Sequence, residues 1–278
     1  MARRRTKLEL EFAEGELARL CEMHEPLTVR SLFYLAVTDG IIDKSEKGYK
    51  WICERSALMR KSGAIKWRSI VDMSRGVRQV HTWENVHHFL ADMSGSYRME
   101  KWSLMPERLE VWCEKDAILP VIQATVDKWE LPLYSCKGYP SLSLLEEARS
   151  MWDKGQGVAM LYFGDSDPTG KDIPRHILKE MKSRALCEDV SLRECAVTPE
   201  QIEELSLPTR PTKSGDSRAA KWQGESVEVD AIPPEKLRQI LEHSITDAIG
   251  ANMGRWEELV EHERKEDERI RTLIDSIQ

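Results

Sequence analysis

What this chain of 278 residues lacks already removes several classes of protein. No apolar run approaches the roughly 18 residues of a membrane-spanning helix, so we expect no membrane protein. No Gly-x-x-x-x-Gly-Lys-Ser/Thr motif is present, which argues against a P-loop ATPase. The N-terminus, MARRRTKLELEF, is basic but contains no apolar core segment, so we expect no secretory signal.

Cysteine and histidine are present but poorly spaced for binding zinc. The six cysteines form no Cys-x-x-Cys pair, and the seven histidines form no ligand pattern. We therefore interpret the cysteines as small buried or half-buried residues of an intracellular protein in a reducing cytosol, without disulfides or a zinc site. They occupy positions 21, 53, 113, 136, 187 and 195.

Two short apolar runs end in acidic residues. LEVWCEKD over 109–116 ends with Glu114 among its acids, and VAMLYFGDSDPTG over 158–170 contains Asp165 and Asp167. Apolar runs between turn signals are typical of buried strands, and ligands gather beyond the carboxyl ends of strands in an open α/β sheet. Because Mg²⁺ prefers oxygen ligands, the three carboxylates predict a magnesium site. A single acid after a strand is also often a helix cap or a turn.

The pattern along the chain predicts an α/β fold with a mainly parallel sheet, because strands and helices alternate over its middle part. Strands are expected at 109–113, 132–136, 157–163 and 191–196, with a short one in VEVD before 231. Helices are expected at 7–23, 28–38, 47–61, 82–93, 117–129, 141–153, 171–184, 234–249 and 255–276.

Two of these helices have predicted apolar faces. For the first helix, we expect Leu8, Leu10, Phe12, Leu17, Leu20 and Cys21 to face the core. For the last helix, we expect Trp256, Leu259, Ile270, Leu273 and Ile274 to do so.

The two acidic segments and the intervening CKGYP at 136–140 resemble, in this order and spacing, a Toprim domain, the metal-binding domain of topoisomerases and primases. More narrowly, EKDA, KGYP and DSDPTG are similar to the A subunit of topoisomerase VI and its relative, the meiotic double-strand-break protein. The resemblance covers roughly residues 106–250. It implies DNA cleavage that depends on Mg²⁺ held by Glu114, Asp165 and Asp167.

The segment LTVRSLFYLAVTDG over 27–40 supports the narrower resemblance. Thr28 is a suitable N-cap, and Arg30 and Tyr34, four residues apart, share one helix face. In the topoisomerase VI A family, a winged-helix domain carries an arginine at this spacing before the nucleophilic tyrosine. The resemblance thus implies that Tyr34 forms a 5′-phosphotyrosyl bond with DNA and that Arg30 stabilises the charge. Taken alone, the segment favours a buried helix tyrosine beside a surface arginine.

The charge distribution agrees with a DNA-binding N-terminal part, although the net charge of the chain is −7. Residues 1–80 contain 16 Lys and Arg against 11 Asp and Glu, a net charge of +5. The rest of the chain therefore has a net charge of −12. Lysine and arginine bind phosphates whatever the DNA sequence, although a charge run is also common on solvated surface. We expect a winged-helix DNA-binding domain at 1–100 and the Toprim domain with C-terminal helices at 101–278. The candidate DNA-binding residues are Arg55, Arg60, Lys61, Lys66 and Arg68.

The segment at 206–225 is rich in Pro, Ser, Gly and charge, so we expect an exposed loop. It is either a simple connection or a loop that meets DNA or a second protomer. Its cations are Arg210, Lys213, Arg218 and Lys221. The pair Glu228 and Asp230 that follows resembles a late acidic segment of the same family, and we leave it outside the metal triad.

The resemblance also implies partners. In the family, a homodimer cuts double-stranded DNA, and the tyrosine of one protomer meets the metal site of the other. Strand passage needs a separate GHKL-type ATPase B subunit, and a chain of this length is similar to the compact A-subunit relatives, called Mini-A, of viruses and mobile elements. Two alternatives stay open: a Toprim nuclease that hydrolyses DNA with a metal-bound water, and a non-catalytic DNA-binding regulatory dimer whose acids are structural.

Overall fold

The structure is a computed structural model that describes residues 6–71, 80–184, 189–211, 222 and 225–276. Its helices are α1 Lys7–His24, α2 Val29–Thr38, α3 Glu46–Ser62, α4 Val86–Ser96, α5 Leu119–Lys128, α6 Leu142–Ser150, α7 Pro168–Arg184, α8 Pro199–Glu204, α9 Pro234–Ile249 and α10 Met253–Asp275. The strands are β1 Glu107–Cys113, β2 Leu133–Ser135, β3 Gly157–Phe163 and β4 Val190–Ala196.

The four strands form one parallel sheet in the order β2-β1-β3-β4, which confirms the predicted α/β class. The four strands predicted between residues 109 and 196 lie within two residues of the observed ones. The register pairs Cys113 of β1 with Phe163 of β3, so the residues that follow these two strands emerge at the same edge of the sheet. Glu114 and Asp165 therefore meet there.

Side chains alternate between two hydrophobic layers on either side of the sheet, as the two-residue period of a strand requires. Trp112 and Tyr162 face the layer covered by α6 and α7. Val111 and Leu161 face the other layer, which contains α5 and α9. The buried residues of α1, α2 and α3 belong to this second layer, so the N-terminal helices share one continuous core with the sheet.

Local sequence signals explain the helices around the candidate tyrosine. Thr28 caps α2 by accepting a hydrogen bond from the backbone of Ser31 at 3.1 Å. Ser45 caps α3 in the same way, and Gly63 ends α3 in the left-handed conformation at φ 83°. The predicted helices at 28–38 and 47–61 are confirmed.

Some of the predicted packing was wrong. Leu8 and Phe12 of α1 are 79% and 68% exposed, and Leu273 of α10 is 64% exposed. The core of α1 is instead built from Ala13 and Leu17 together with Leu20 and Cys21. Phe12 precedes Ala13 by one residue, about 100° around the helix, so Leu8 and Phe12 lie on a different face from the buried stripe.

The start of one helix and one predicted strand also differ. The helix predicted at 82–93 begins at Val86, because the Asn85 side chain caps it by accepting from the backbone of His88 at 2.8 Å. The short strand expected before 231 is replaced by isolated bridges and a 3-10 turn over Val229–Ala231. Among the described residues, none of the helices combines the length and apolar character that a membrane crossing needs.

Several residues singled out from the sequence lie outside the described ranges. These are Lys213, Arg218 and Lys221 of the loop, and Cys187.

Candidate active site

Glu114 and Asp165 form the buried centre of the site at the carboxyl edge of the sheet. They are 8% and 4% exposed, and the Asp165 backbone amide donates to Oε2 of Glu114 at 2.8 Å. Burial and the neighbouring charge of Asp165 raise the pKa of Glu114 to about 7. The structure thus brings two of the three predicted metal ligands together and leaves them in electrostatic repulsion.

Asp167 lies beside this pair but has a further task. Its Oδ1 accepts from the backbone amides of Thr169 at 3.0 Å and Gly170 at 2.8 Å, at the start of α7. A carboxylate at a helix N-terminus is stabilised by hydrogen bonds from the backbone amides there and by the helix dipole. The helix-cap role that such an acid often has is therefore present here, and its second oxygen, Oδ2, lies 3.6 Å from the guanidinium of Arg210.

Arg30 and Tyr34 meet Glu228 and Asp230, whose role the sequence left open. The phenol of Tyr34 donates to Oε2 of Glu228 at 2.9 Å. Arg30 forms ion pairs with both Glu228 and Asp230. The two acids alternate with apolar residues in VEVDA, and this alternation is the local signal that they share one side of the chain.

The segment that carries these acids is fixed by its backbone to the sheet edge that carries Glu114 and Asp165. Ser166 and Val227 exchange two backbone hydrogen bonds of 2.8 and 3.0 Å, and the Val229 amide donates to Oδ1 of Asp165 at 2.9 Å. Satisfying a buried carboxylate in this way favours the tight turn over a continued strand. The turn delivers Glu228 and Asp230 next to Asp165.

Lys115, from the EKDA motif, connects the two halves of the site. Its ammonium lies 2.8 Å from Asp165, 3.3 Å from Glu228 and 3.4 Å from Asp230. Burial would lower the pKa of this lysine, but its three carboxylate partners raise it above the usual value. Lys115 was not among the site residues predicted from the sequence, because a lysine after a strand has no distinctive spacing.

The protonation states of Tyr34 and Glu228 are set by their surroundings. Burial and the charge of Glu228 raise the pKa of Tyr34, so the phenol is neutral. Burial would also raise the pKa of Glu228, but the surrounding lysine and arginine side chains lower it to about 2. The pair is therefore a neutral phenol that donates to a carboxylate anion.

An open cleft of about 600 Å³ leads to this pair. Lys44 lies over the ring of Tyr34, 5.4 Å from its centroid, and donates to the carbonyl oxygens of Pro208 and Thr209 at 2.9 Å each. Cations and aromatic rings dominate the wall. It includes Arg30, Tyr34, Lys44, Tyr49, Arg210 and Glu228.

The predicted DNA-binding residues lie elsewhere, on the distal part of α3 and the turn after it. Arg55 pairs with Glu14 at 2.9 Å, and the guanidinium of Arg60 lies 5.2 Å from the ring centroid of Trp67. Lys61 is in the last turn of α3. With a rise of about 1.5 Å per residue, that turn is more than 20 Å from the N-terminus of α3 at the cleft.

Lys66 and Arg68 are exposed on the turn after α3. Their side chains are 57% and 78% exposed, and each lies 3.9 Å from a carboxylate oxygen of Glu25. Surface ion pairs of this length contribute little, so both cations stay available to another anion.

The carboxylates suit a hard cation by their chemistry. Within the described ranges, no group of three or more His, Cys, Asp or Glu side chains is close enough together to hold a metal ion. Glu114 and Asp165 nevertheless supply the oxygen donors that Mg²⁺ prefers, and their repulsion is the kind that a divalent cation relieves.

Gly170 shows how closely the site is packed. A Cβ added there would lie 2.2 Å from the carbonyl oxygen of Asp165 and 3.1 Å from Oε2 of Glu114. The backbone of α7 can approach the acidic pair only because this position has no side chain. Gly254 of α10, by contrast, has nothing within 4 Å of an added Cβ.

We therefore expect opposite effects from two glycine-to-alanine changes. Gly170→Ala should destabilise the protein by ~1–3 kcal/mol, because it overpacks a rigid backbone contact. Gly254→Ala should be neutral or stabilise by up to ~1 kcal/mol, because alanine favours a helix. Urea unfolding curves of the two variants check this, and an unchanged midpoint for Gly170→Ala would contradict the close approach.

Comparison with the models of known protein families and with curated proteins finds no match to this chain.

Proposed function

We propose that this protein cleaves double-stranded DNA by transesterification at Tyr34, with Mg²⁺ held by Glu114, Asp165 and Asp167. The observation that carries the proposal is the hydrogen bond of Tyr34 to Glu228, 2.9 Å long, in a segment fixed to the same sheet edge as Glu114 and Asp165. The α/β fold with its parallel sheet supports this proposal. The assignment of winged-helix and Toprim domains belongs to it.

Each residue has a defined task in this reaction. The phenol oxygen of Tyr34 attacks the phosphorus, the bond to the 3′ oxygen breaks, and that oxygen leaves with the bonding electrons and takes a proton from water. The product is a 5′-phosphotyrosyl bond and a free 3′-hydroxyl. A neutral phenol is a weak nucleophile, so it must lose its proton during the attack. The proton passes to water as the bond to phosphorus forms. Oε2 of Glu228 orients the phenol by accepting its hydrogen bond, but it is a weak base because its pKa is lowered to about 2.

Arg30 places a positive charge next to the oxygen on which negative charge develops. Its pairing with Glu228 and Asp230 fixes the guanidinium beside the phenol before DNA arrives. Preorganised charge of this kind is a large contribution to catalysis. When bound, Mg²⁺ supplies Lewis-acid stabilisation of the phosphate and of the leaving oxygen.

The site that we propose is built from a single chain. The family that the sequence resembles pairs the tyrosine of one protomer with the metal of the other, whereas here Tyr34 is linked through Glu228 and Lys115 to Asp165 of its own chain. A homodimer would still place two such sites on the two strands of a duplex. Strand passage would require a separate ATPase subunit.

One observation favours a hydrolytic nuclease as the second candidate. Tyr34 is only 4% exposed, and its raised pKa keeps it protonated. Hydrolysis would use a metal-bound water and would not need the phenol. Denaturing the protein in the middle of a reaction separates the two functions, because transesterification leaves the protein covalently joined to the 5′ end of the DNA and hydrolysis leaves it free.

We expect DNA affinity to depend on the exposed cations after α3. Reversing Lys66 and Arg68 to glutamate should weaken binding and reduce the slope of log affinity against log salt by about 0.9 for each phosphate that the protein no longer neutralises. Reversing Arg55, which is paired with Glu14 and only 24% exposed, should change binding less. Titrations of a labelled duplex at several salt concentrations measure both.

A double reversal of Lys265 and Arg271 in the acidic α10 serves as the control for net charge. If it weakens binding as much as the reversal of Lys66 and Arg68, the contacts are nonspecific and our placement of DNA is wrong.

A further inference from the structure

The cleft in front of Tyr34 contains two cations that the proposed reaction does not use. These are Lys44, from the turn before α3, and Arg210, from the segment before the acidic turn. They reach the cleft from parts of the chain that are far apart in sequence. Both have more donor groups than contacts with the residues that the structure describes.

Two hydrogen bonds hold the Lys44 ammonium, and no carboxylate among the described residues forms an ion pair with it. Its ammonium donates to the carbonyl oxygens of Pro208 and Thr209, and these are dipoles without net charge. An ammonium has three N–H donors, so one is left after these two hydrogen bonds. Its distance of 5.4 Å from the centroid of the Tyr34 ring places this charge beside the phenol.

Backbone hydrogen bonds fix Arg210, and its guanidinium has some of its donors engaged by acidic side chains. Its amide and carbonyl exchange hydrogen bonds of 2.9 and 2.8 Å with Ser226. One terminal nitrogen of the guanidinium lies 2.7 Å from Oε1 of Glu228, and the other is 3.6 Å from Asp167. Its Nε has no hydrogen-bond partner among the described residues, although it is buried. A buried donor is costly to leave without a partner, so a bound anion or water at this position would stabilise it.

We propose that this cleft binds the phosphodiester that Tyr34 attacks, with Lys44 and Arg210 as the residues that hold its two non-bridging oxygens. The inference rests on the proposed function and adds the position of the substrate to it. Lys44 and Arg210 approach Tyr34 from the α3 side and from the acidic turn, so an oxyanion between them faces the phenol. In this arrangement Arg30 stays paired with Glu228 and Asp230 and stabilises the charge on the tyrosine oxygen, while Lys44 and Arg210 bind the phosphate.

The cleft also limits what the anion can be. Phe33 and Tyr49 line the same wall, with their ring centroids 5.4 Å apart in an edge-on contact. An apolar wall beside two cations suits a phosphate that carries a sugar on each side better than a free inorganic ion. Glu46 at the rim disfavours multiply charged anions because it adds negative charge there.

The test measures binding in a protein that is unable to form the covalent bond. In a Tyr34→Phe background, Lys44→Met and Arg210→Met should each weaken the binding of a short DNA duplex by about tenfold, the usual effect of removing one charge-assisted hydrogen bond. Lys44→Arg and Arg210→Lys keep the charge and should keep most of the affinity. Lys128→Met and Arg193→Met remove exposed cations that are also ion-paired, and they should change nothing.

The outcomes separate this inference from the proposed function. If Lys44→Met and Arg210→Met bind the duplex as well as the two control variants, the phosphodiester does not lie in the cleft. The charge-keeping variants, Lys44→Arg and Arg210→Lys, give a second way to reject the inference. If they weaken binding as much as the methionine variants do, while their unfolding curves stay unchanged, the charge of these residues does not bind the phosphodiester and the inference is wrong. A wild-type protein that forms no covalent adduct refutes the tyrosine mechanism, yet leaves the binding measurement as a separate test of the cleft.

Discussion

Tyr34→Phe is expected to eliminate every covalent complex between this protein and DNA, and to lower strand cleavage by ~10³-fold or more, as the removal of a catalytic nucleophile does. The change removes one oxygen and one hydrogen bond. Glu228, which is deprived of this donor, keeps its pairing with Arg30, Lys115 and Arg210. The fold should therefore be destabilised by only ~1 kcal/mol.

The matched control is Tyr49→Phe. Tyr49 lines the same cleft and contacts Phe33 edge-on, as Tyr34 also does. Removal of its hydroxyl tests whether any tyrosine in the cleft can supply the nucleophile. We expect the covalent adduct to persist in Tyr49→Phe and to disappear in Tyr34→Phe, as measured by labelled DNA that comigrates with denatured protein.

Full cleavage by Tyr34→Phe would reject the tyrosine mechanism and favour hydrolysis. An adduct that moves to Tyr49 in the variant would show instead that the cleft is catalytic but that the nucleophile was misassigned.

The location of the acidic pair could be predicted because it depends only on local pattern and on the geometry of parallel strands. The apolar runs before Glu114 and after 157 indicated buried strands, and the ends of neighbouring parallel strands share an edge. The structure has these strands, and at their shared edge the backbone amide of Asp165 donates to the Glu114 carboxylate. No contact between distant residues had to be known.

The partners of Arg30 and Tyr34 could not be predicted in this way. Glu228 follows Arg30 by 198 residues, and its position depends on the turn that Asp165 stabilises by accepting from Val229. Such a turn has no periodicity, and a strand was expected in its place. The role of Lys115 as a bridge depends on the same fold, so it was missed for the same reason.

The exposed face of α1 shows a second limit. Leu8 and Phe12 have the hydrophobicity of core residues, but α2 and α3 cover the face that contains Leu17. The amphipathic pattern of a helix shows which of its residues are apolar. It does not show which part of its surface the neighbouring helices cover. Packing geometry decided the outcome.

Replacement of the carboxylates should have an effect as large as that of Tyr34→Phe. Glu114→Gln, Asp165→Asn and Asp167→Asn should each abolish Mg²⁺-dependent cleavage while leaving DNA binding nearly intact. Each replacement keeps the shape of the side chain. Asparagine at 167 can still cap α7, because its side-chain oxygen accepts hydrogen bonds from the same backbone amides. Cleavage that continues in EDTA, or in all three variants, would refute the metal site.

Glu114→Gln also has a readout that does not depend on cleavage. Because the pKa of Glu114 is raised in the folded protein, its ionisation destabilises the fold, and this effect is complete above about pH 7. Below the ordinary pKa of a glutamate, the side chain is protonated in both the folded and the unfolded protein, so the destabilisation disappears. Without divalent cations, Glu114→Gln should therefore melt at a higher temperature than the wild type at pH 8, and at the same temperature near pH 4. Adding Mg²⁺ should raise the melting temperature of the wild type only.

A mixture of the two inactive proteins decides how the site is assembled. If Tyr34 works with the carboxylates of its own chain, Tyr34→Phe and Glu114→Gln each spoil every site in their own protomer, so a heterodimer has no intact site and the mixture stays inactive. If the tyrosine of one protomer instead works with the carboxylates of the other, each heterodimer regains one site and nicks the duplex. We expect no nicking, because Tyr34 is joined through Glu228 and Lys115 to Asp165 within one chain.

A chain that carries both changes, mixed with the wild type, verifies that heterodimers form. Each heterodimer then keeps one intact wild-type site, which gives nicks in place of double-strand breaks. Nicking by the first mixture would show that the active site is shared between protomers.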